Sequence, residues 1–543
     1  MTHRVESGPN ASQARLAVAC LCLAGAFATV SVRLALFGAD AAPIPRLALA
    51  EAAERASARP DILDRNGAVL ATDIRVYWLH ADPSAVIHPD EAAEQLNAAL
   101  PGLAVDEIRA KLRAGGRFVW LKRGLSPREA AAVHNLGVPG FVLTEQPQRV
   151  YPAGETFAHV LGHTDVDNRG LSGLERRLDA IAAEPGAPSL GVVRTTLDLR
   201  IQHAVRAELA AAMTRHRAKA AGAVLINVND GGVLALASLP DFDPNRRDTA
   251  LSPDRRNRVV ADNYELGSVF KAFTAALALD ERLVGRDEDI DIATPLVVNG
   301  FTIRDEHAKR RFASIDDVIV HSSNTGAARL GLLAGPQRQK AFLGKLGLLS
   351  PMTTAVGRTP PPGYGKEWRD INTATISYGH GLSTSPLHFA AAAASLVNGG
   401  YAVAPRFLTD AERAPPRQRV LKPETSLAMR RMLHAAVERG TGKRARAPGY
   451  GVGGKTGTAL KPKPGGYSDE VVTSFFAAFP IQQPHYLLYV FLDEPQTEDG
   501  APGNEAAYNA AAAAGEMLRR ILPMLGIAPT GAALAEAPPP HAR

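Results

Sequence analysis

The sequence predicts an α+β fold in which an antiparallel sheet is flanked by helices, preceded by a separate N-terminal module and one transmembrane helix. Three observations predict it. A helical stretch at 199–215 is followed by two strand-like stretches joined by an Asn-Asp-Gly-Gly turn, and three further strand-like stretches near the end of the chain precede another helix. Residues 16–32 form an uncharged, mostly apolar run. With 543 residues, of which 46% are hydrophobic, the chain is long enough for two or more modules with sizeable cores.

The apolar run predicts a membrane anchor. It resumes at 34–37 after a single arginine, and residues 16–37 together are long enough to span a bilayer. Arg4 and Arg15 precede the run, and basic residues favour the cytoplasmic side of a membrane. We therefore expect a single-pass membrane protein, with residues 1–15 in the cytoplasm and the rest of the chain outside.

A cleaved signal peptide is the alternative interpretation of this run, because residues 39–41 supply an Ala-Asp-Ala cleavage site. The apolar core of a cleavable signal peptide is usually ~7 to 15 residues long. The run here has 17 residues before its first charge. Its length therefore favours the anchor.

The positions of the cysteines and the distribution of charge argue against several classes of ligand and partner. Cys20 and Cys22 both lie in the apolar run, so we expect no disulfide framework and no cysteine-ligated metal in the external part. A lack of cysteine there is consistent with the oxidising periplasm. The net charge of +6 is spread along the chain rather than gathered in a basic run, so it indicates no nucleic-acid partner. No cofactor and no metal ion are expected.

The first folded module is predicted at residues 59–194, after an Ala-rich linker with two prolines at 38–58. Residues 61–67 predict a strand that enters an Asn-Gly hairpin turn, with the return strand at 68–71. The remaining predicted elements of this module are a strand at 76–79 and helices at 89–99 and 105–113.

The second module is predicted at residues 195–527, followed by a Pro-rich tail at 528–543 that we expect to be disordered. Its strands come from both ends of the module, with a long helical middle between them. The predicted elements are a helix at 199–215, strands at 222–228, 233–238, 452–460, 471–479 and 486–492, and a closing helix at 506–522.

Three short motifs carry the chemistry of the second module: Ser268-Val-Phe-Lys271, Ser322-Ser323-Asn324 and Lys455-Thr456-Gly457. Ser268 opens an apolar helical run, which places Lys271 one turn further on, on the same face. A neutral Lys271 amine can take the seryl proton as the oxygen attacks a carbonyl carbon. The ordinary pKa of lysine is about 10.4, so burial and a nearby cation, for which Lys455 is the candidate, must lower it.

The second motif offers groups for the leaving amine. Ser322 can relay a proton to that amine, and Asn324 can hold Lys271 and the substrate amide. His321 and His380 lie near these motifs in the sequence. We interpret both histidines as packing or hydrogen-bonding residues rather than catalytic ones.

The third motif offers groups for the substrate. Lys455, Thr456 and Thr458 supply a cation and hydroxyls for a substrate carboxylate. Gly457 allows the backbone of a ligand to approach closely. The backbone N–H groups of Ser268 and Thr458 are the predicted oxyanion hole.

Taken singly, each motif has an ordinary structural interpretation: Ser268 as a helix cap, the second motif as a turn, and Lys455 as a solvated strand lysine. Their occurrence in this order within one module favours a serine acyltransferase. Two other hydrolytic schemes fail, because the sequence has no G-x-S-x-G around a serine and no H-E-x-x-H.

The three motifs match the S-x-x-K, S-x-N and K-T-G set of penicillin-binding proteins and serine β-lactamases. Residues 264–271 resemble the Y-E-P-G-S-x-F-K signature of the class B penicillin-binding proteins, with Leu266 in place of the frequent proline. The chain is most similar to the division-specific FtsI type, because Asn324 ends the second motif where elongation-type relatives usually carry Asp, and because of Ile303-Arg304-Asp305. Other similar segments, which extend the resemblance over about residues 60–525, are 59–67, 151–154, 170–175, 378–386, 474–476 and 493–495.

This resemblance implies a penicillin-binding, β-lactamase-like transpeptidase domain preceded by an elongated, dimerisation-type pedestal at 59–194. It implies a single-pass protein of the inner (cell) membrane with the catalytic domain in the periplasm. It implies a peptidoglycan D,D-transpeptidase in which Ser268 attacks a D-Ala-D-Ala stem peptide, releases D-Ala and passes the acyl group to an amine of a neighbouring stem. β-Lactams would acylate the same serine. The implied partners are a glycosyltransferase of the FtsW type and other membrane proteins of the division septum.

Three alternatives stay open at this point. An elongation-type class B transpeptidase shares the motifs of the division type. A serine β-lactamase is less favoured, because that class is typically compact and secreted, whereas an apolar anchor and a whole module precede residue 195 here. A scaffold with a dead site is disfavoured because Ser268, Lys271 and Lys455 are all present. A penicillin-sensing receptor is disfavoured because the sequence has one predicted membrane span and no metalloprotease motif.

Overall fold

The structure is a computed structural model that describes residues 11–39, 59–186, 191–246, 252–305, 310–409, 417–497 and 504–529. The chain divides into two compact units, Met1–Arg59 and Pro60–Arg543. The predicted N-terminal tail, linker and C-terminal tail lie wholly or largely outside the described residues.

The first unit contains one described helix, α1 (Ala11–Ala39), of 29 residues. It covers the predicted anchor at 16–37. The described side chains of its central part are exposed, among them Leu21 at 72% and Phe27 at 69%. Across the residues that the structure describes, no helix combines the length and the apolar character needed to cross a membrane.

The second unit alternates helices with strands. Its helices are α2 (Pro89–Ala99), α3 (Val105–Arg113), α4 (Pro127–His134), α5 (Ala158–Leu161), α6 (Gly173–Ala182), α7 (Leu199–Arg215), α8 (Arg258–Ala261), α9 (Lys271–Asp280), α10 (Ile315–Val320), α11 (Asn324–Lys345), α12 (Asp370–Ser377), α13 (Pro386–Ala394), α14 (Pro423–Glu438) and α15 (Ala510–Met524).

Its strands are β1 (Asp61–Leu63), β2 (Val69–Ala81), β3 (Val119–Leu125), β4 (Phe141–Val150), β5 (Val192–Arg194), β6 (Ala220–Asn227), β7 (Val233–Leu239), β8 (Tyr264–Glu265), β9 (Ile290–Asp291), β10 (Leu296–Val298), β11 (Phe301–Ile303), β12 (Phe312–Ala313), β13 (Thr353–Thr354), β14 (Gly357–Arg358), β15 (Gly363–Tyr364), β16 (Leu382–Thr384), β17 (Gly453–Lys463), β18 (Gly466–Phe479) and β19 (Tyr486–Asp493).

The central sheet of the second module has five antiparallel strands in the order β17-β18-β19-β6-β7. Strands from the start and the end of the module therefore lie side by side, as the sequence predicts. Successive residues of β19 point to opposite faces. Tyr489 packs with Phe273 of α9 and Phe389 of α13, while Val490 belongs to the core cluster that contains Leu209 of α7 and Leu518 of α15.

The long helical middle predicted for this module contains helices α9 to α14, but it is interrupted by strands that the sequence did not predict. The segment between β7 and β17 also contains short strands, β8 to β16, which form small two- and three-stranded sheets between the helices. These strands are only two or three residues long. Runs of that length are too short to show the alternation of apolar and polar residues on which strand prediction depends.

The N-terminal module is built around the long strand β2. Its start pairs with β1, residues 72–81 pair with β4, and residues 77–81 also pair with β3 on the opposite side. The predicted strands at 68–71 and 76–79 are thus one continuous strand. The predicted Asn-Gly turn is present, and the Asp64 carboxylate accepts hydrogen bonds from the backbone N–H groups of Asn66 and Ala68, each at 2.8 Å.

Buried polar side chains stabilise the N-terminal module and connect it to the central sheet through hydrogen bonds. Arg149 on β4 donates to Glu175 at 2.7 Å and to Asp73 at 3.1 Å. On α7, the Gln202 side-chain amide donates to the Thr156 carbonyl at 2.7 Å and to the Leu236 carbonyl on β7 at 2.9 Å. Because a buried amide is costly to leave without partners, these hydrogen bonds of Gln202 help to hold the two modules together.

Candidate active site

The three motifs predicted to carry the chemistry meet beside the edge strand β17. The Ser322 hydroxyl oxygen lies 3.1 Å from the Lys271 ammonium nitrogen and 3.0 Å from that of Lys455. One side chain from each motif therefore meets at this oxygen atom, namely Lys271, Ser322 and Lys455. The Ser268 side chain does not take part in this contact. The prediction that the motifs form one site is consistent with this geometry.

Ser268 lies in a short 3₁₀ turn, Gly267–Phe270, that leads directly into α9. Its side chain is half-buried, and among the described residues its hydroxyl oxygen has no hydrogen-bond partner. Lys271 is the first residue of α9 and is 1% exposed. It donates to the carbonyl and the hydroxyl of Ser322 rather than to Ser268. The role of Lys271 as the base for Ser268 stays a prediction.

Glycines allow three backbone segments to approach one another closely around the nucleophile. A Cβ atom at Gly267, where φ is +60°, would lie 2.3 Å from the carbonyl oxygen of Thr458. A Cβ at Gly457 would lie 2.4 Å from the Leu266 carbonyl oxygen, and one at Gly379 would lie 1.9 Å from that of Gly267. Only glycine fits at such distances. The backbone at Gly267 therefore lies against the β17 backbone at Thr458. This brings together the two segments whose N–H groups, at Ser268 and Thr458, are the predicted oxyanion hole.

Ser322 has a left-handed backbone conformation with φ of +61°. This conformation costs a non-glycine residue roughly 1–2 kcal/mol, and such residues cluster at functional sites. Here it allows the carbonyl and the hydroxyl of one residue to accept hydrogen bonds from the same amine, that of Lys271.

The next two residues of the second motif begin α11. Ser323 is the N-cap and accepts from the Gly326 backbone N–H at 2.9 Å. The backbone N–H of Asn324 donates to the Asp305 carboxylate at 2.6 Å. The Asn324 side chain is half-buried and forms no hydrogen bond within the described structure, so the predicted hold of Asn324 on Lys271 is not seen here. Its role toward the substrate stays a prediction.

Lys455 is completely buried on β17. Besides Ser322, it donates to the Thr456 carbonyl at 3.0 Å and the Thr456 hydroxyl at 3.4 Å. The Thr456 hydroxyl lies 2.7 Å from that of Thr441, a residue that sequence reasoning missed because it belongs to none of the motifs. The half-buried Thr458 accepts a hydrogen bond from the Ala506 backbone N–H at 3.1 Å, which leaves its hydroxyl proton for a ligand.

Burial controls the protonation of both lysines. It lowers the pKa of Lys455 to about 7. It also lowers the pKa of Lys271 well below the ordinary value, and the neighbouring Lys455 lowers it further, while Asp305 acts in the opposite direction. Lys271 is thus the member of the pair that is neutral near pH 7, the state that a general base requires.

His380 packs between two tyrosine rings, with centroid distances of 5.4 Å to Tyr378 and 5.6 Å to Tyr467. Burial, with a smaller contribution from Lys271, lowers the pKa of His380 to about 4, so the ring is neutral near pH 7. The Tyr467 hydroxyl donates to the Glu265 carboxylate at 3.1 Å. The packing role predicted for His380 fits this position, and His321 is exposed.

Comparison with known proteins agrees with this geometry. The family model of the penicillin binding protein transpeptidase domain matches residues 221–517, and that of the penicillin-binding protein dimerisation domain matches residues 54–181. The chain belongs to the penicillin-binding protein transpeptidases. This family membership confirms the resemblance on which the sequence interpretation depends.

Individual relatives of this penicillin-binding protein cover most of its length. The chain is 36% identical over 483 residues to the probable peptidoglycan D,D-transpeptidase FtsI of Caulobacter vibrioides, covering 87% of this chain and 82% of that protein. It is 31% identical to the peptidoglycan D,D-transpeptidase FtsI of Escherichia coli K12, with 81% and 80% covered. The crystal structure of penicillin binding protein 3 from Mycobacterium tuberculosis, complexed with aztreonam, matches with a TM-score of 0.68 at 26% identity, covering 87% of this chain and 98% of that chain.

The family membership confirms the predicted enzyme class: this penicillin-binding protein is a peptidoglycan transpeptidase. The fold prediction is confirmed in its coarser form, a mixed transpeptidase fold with sheets flanked by helices. The assignment of individual catalytic roles to Ser268, Lys271, Ser322, Asn324 and Lys455 stays a prediction, as do the predicted module boundaries.

Proposed function

We propose that this transpeptidase crosslinks peptidoglycan stem peptides at the division septum through an acyl-enzyme on Ser268. The observation that carries the proposal is the Ser322 hydroxyl held between the buried amines of Lys271 and Lys455. Ser268, three residues before Lys271, is half-buried and has no hydrogen-bond partner among the described residues. A neutral amine, a relay hydroxyl and a second cation are the groups that serine acylation requires.

In the acylation step, the Ser268 oxygen attacks the carbonyl carbon of the penultimate D-Ala while its proton moves to Lys271. The tetrahedral intermediate places its negative oxygen toward the backbone N–H groups of Ser268 and Thr458. The bond to the terminal D-Ala nitrogen then breaks. Ser322 passes a proton to that nitrogen and is itself reprotonated from Lys271, 3.1 Å away. An ester on Ser268 and free D-Ala result.

In the second step, an amine of a neighbouring stem peptide attacks the ester carbonyl. The amine loses a proton to the same Lys271 and Ser322 pair, the ester bond breaks, and the Ser268 oxygen recovers a proton. A new amide crosslink forms with no net change in the enzyme. A β-lactam enters the same route, but its opened ring stays attached and blocks the second amine.

The edge position of β17 suggests how a stem peptide binds. β17 is the outermost strand of its sheet, and edge strands present backbone N–H and C=O groups that an extended peptide can pair with. A donor peptide laid along β17 brings its terminal carboxylate toward Thr456 and Thr458, with the charge of Lys455 behind them. The scissile carbonyl then lies beside Ser268.

The proposal also includes a role in cell division and a membrane anchor. The Caulobacter and Escherichia relatives are both named FtsI, which supports the division type. The apolar run at 16–37 with basic residues before it supports an inner-membrane anchor, a cytoplasmic N-terminus and a periplasmic catalytic domain. The partners proposed with them are a FtsW-type glycosyltransferase and other division proteins that contact the N-terminal module.

Labelling with a fluorescent penicillin tests the central claim. Wild type should be labelled covalently and release the label slowly, and Ser268→Ala should not be labelled at all. Persistent labelling of Ser268→Ala would overturn the assignment of the nucleophile. Rapid release of the label by wild type would instead indicate a β-lactamase.

Depletion in living cells tests the cellular role. Loss of a division-type enzyme should produce filaments, and a fluorescent fusion should collect at the septum. Spherical cells and a lateral-wall signal would support the elongation type instead. Recovery of the intact N-terminus in the membrane fraction tests the anchor, whereas a mature chain that begins after residue 41 would show a cleaved signal peptide.

A further inference from the structure

We propose that Asp305 is a positioning residue for acylation, whose carboxylate holds the turn at 322–324 in place and sets the charge around Lys271. The inference rests on the proposed transpeptidase function and adds to it a residue outside the three motifs. Asp305 follows β11, at the end of the β10–β11 hairpin, and reaches the start of α11 from there.

The Asp305 carboxylate binds three consecutive residues. One oxygen accepts the backbone N–H groups of Asn324 at 2.6 Å and Thr325 at 3.3 Å. The other oxygen accepts the Ser323 hydroxyl. The same hydroxyl accepts the Gly326 backbone N–H at 2.9 Å, so Ser323 links Asp305 to the first turn of α11.

These contacts bear directly on Ser322, the residue before Ser323. Ser322 has a φ of +61°, which a non-glycine residue keeps only where its surroundings hold it. By fixing residues 323–325, Asp305 holds the end of the strained turn and keeps the carbonyl and hydroxyl of Ser322 directed at Lys271. A displacement of about 1 Å at such a group costs roughly 10²-fold in rate.

Asp305 also contributes its charge. The titratable groups that act on Lys271 are Lys455 from β17, His380 from the segment after α12, and Asp305 from the β10–β11 hairpin. His380 is neutral near pH 7, so Lys455 and Asp305 have opposite electrostatic effects on Lys271. Asp305 stabilises the protonated form of Lys271 and so acts to raise its pKa. Lys271 therefore becomes a free base at a higher pH than it would without this carboxylate.

Two substitutions separate the positioning effect from the charge. Asp305→Asn keeps an oxygen for the Asn324 and Thr325 amides but removes the charge. Asp305→Ala removes both. The matched control is Asp291→Asn, because Asp291 also accepts two backbone N–H groups, from Ala293 at 3.1 Å and Thr294 at 2.9 Å, but lies in a different turn.

The experiment measures the rate of acylation by a fluorescent penicillin across pH for the full-length protein and its variants. We expect the acid limb of Asp305→Asn to move to lower pH while the alkaline limb stays in place. Asp305→Ala should show the same movement and a loss of rate on the order of 10²-fold at the optimum. Asp291→Asn should follow wild type at every pH.

Two results would overturn the inference: an acid limb of Asp305→Asn that superimposes on wild type, or an Asp305→Ala rate within twofold of wild type. A purely structural cap would lower the rate without moving the limb. If Asp305→Ala does not fold, the pH profile of Asp305→Asn alone decides. Failure of wild type to become acylated would refute the transpeptidase itself, so the two failures are distinguishable.

Discussion

Lys271 and Lys455 come from a helix and a strand far apart in the sequence, yet both amines contact the same oxygen atom of Ser322. Burial lowers the pKa of both lysines, and the nearby Lys455 lowers that of Lys271 further. These shifts agree with the predicted roles of Lys271 as the base and Lys455 as the cation.

Substitutions at Ser322 should separate the effect of losing its hydroxyl from the effect of relieving its backbone strain. Ser322→Ala and Ser322→Gly both remove the shared acceptor, so both should lose roughly 10²-fold or more in acylation rate. Ser322→Gly should be more stable than Ser322→Ala by about 1 kcal/mol, because glycine adopts a φ of +61° without strain. Penicillin labelling kinetics and chemical denaturation measure the two quantities. Wild-type labelling of Ser322→Ala would contradict the relay role.

The acylation rate should have a bell-shaped dependence on pH. It rises as Lys271 loses its proton, at a pH well below the ordinary lysine value, because burial and Lys455 lower the pKa of Lys271. It falls again near pH 7, where Lys455 loses its proton and the site loses its cation. In Lys455→Arg the guanidinium does not titrate in this range, so the descending limb should disappear, even if the maximum is lower. A rate that keeps rising in wild type beyond pH 9 would be inconsistent with Lys455 acting as the cation.

Gly267→Ala should destroy the site through a clash rather than through backbone strain alone. The new Cβ would lie 2.3 Å from the Thr458 carbonyl oxygen, so β17 and the turn before Ser268 would have to separate. Gly67→Ala is the matched control, because Gly67 has a φ of +92° but open space around it. We expect Gly67→Ala to lose about 1–2 kcal/mol of unfolding free energy and keep full labelling. Gly267→Ala should lose more and should not be labelled; equal behaviour of the two variants would refute the clash.

Arg149 should be essential to the N-terminal module. Its side chain and that of Glu175 are both fully buried, so removal of the guanidinium takes the cation away from a buried carboxylate. Arg149→Ala should cost about 3–5 kcal/mol of unfolding free energy. Arg75→Ala on the neighbouring strand breaks an ion pair whose arginine is 86% exposed, and it should have no measurable effect. Chemical denaturation of both variants, followed by tryptophan fluorescence, compares them; similar losses would show that burial is not the deciding factor.

The predictable parts of this molecule are those with a local signal. The strands β6, β7, β17, β18 and β19 were predictable because each has an apolar run bounded by turn residues, and the three motifs were predictable because each is contiguous. The proximity of Lys271 and Lys455 was predictable because a lysine base needs burial or a nearby cation to lower its pKa. Their contact with the same oxygen of Ser322 was not predicted.

The remaining parts depend on contacts between distant segments. Asp305 stands out in the sequence only as one residue of Ile303-Arg304-Asp305, and nothing local to it indicates that it accepts hydrogen bonds from Ser323, Asn324 and Thr325. The left-handed conformation of Ser322 likewise has no sequence signature, because serine rarely adopts it. The pairing of Thr441 with Thr456 arises from the packing of α14 against β17, which periodicity does not reveal.

The glycine contacts at 267, 379 and 457 restrict how this enzyme could evolve drug resistance. Each position is closed to any side chain by a backbone carbonyl within 2.4 Å, so none of them can acquire bulk to exclude an antibiotic. Resistance substitutions that keep the enzyme active must therefore arise at other positions.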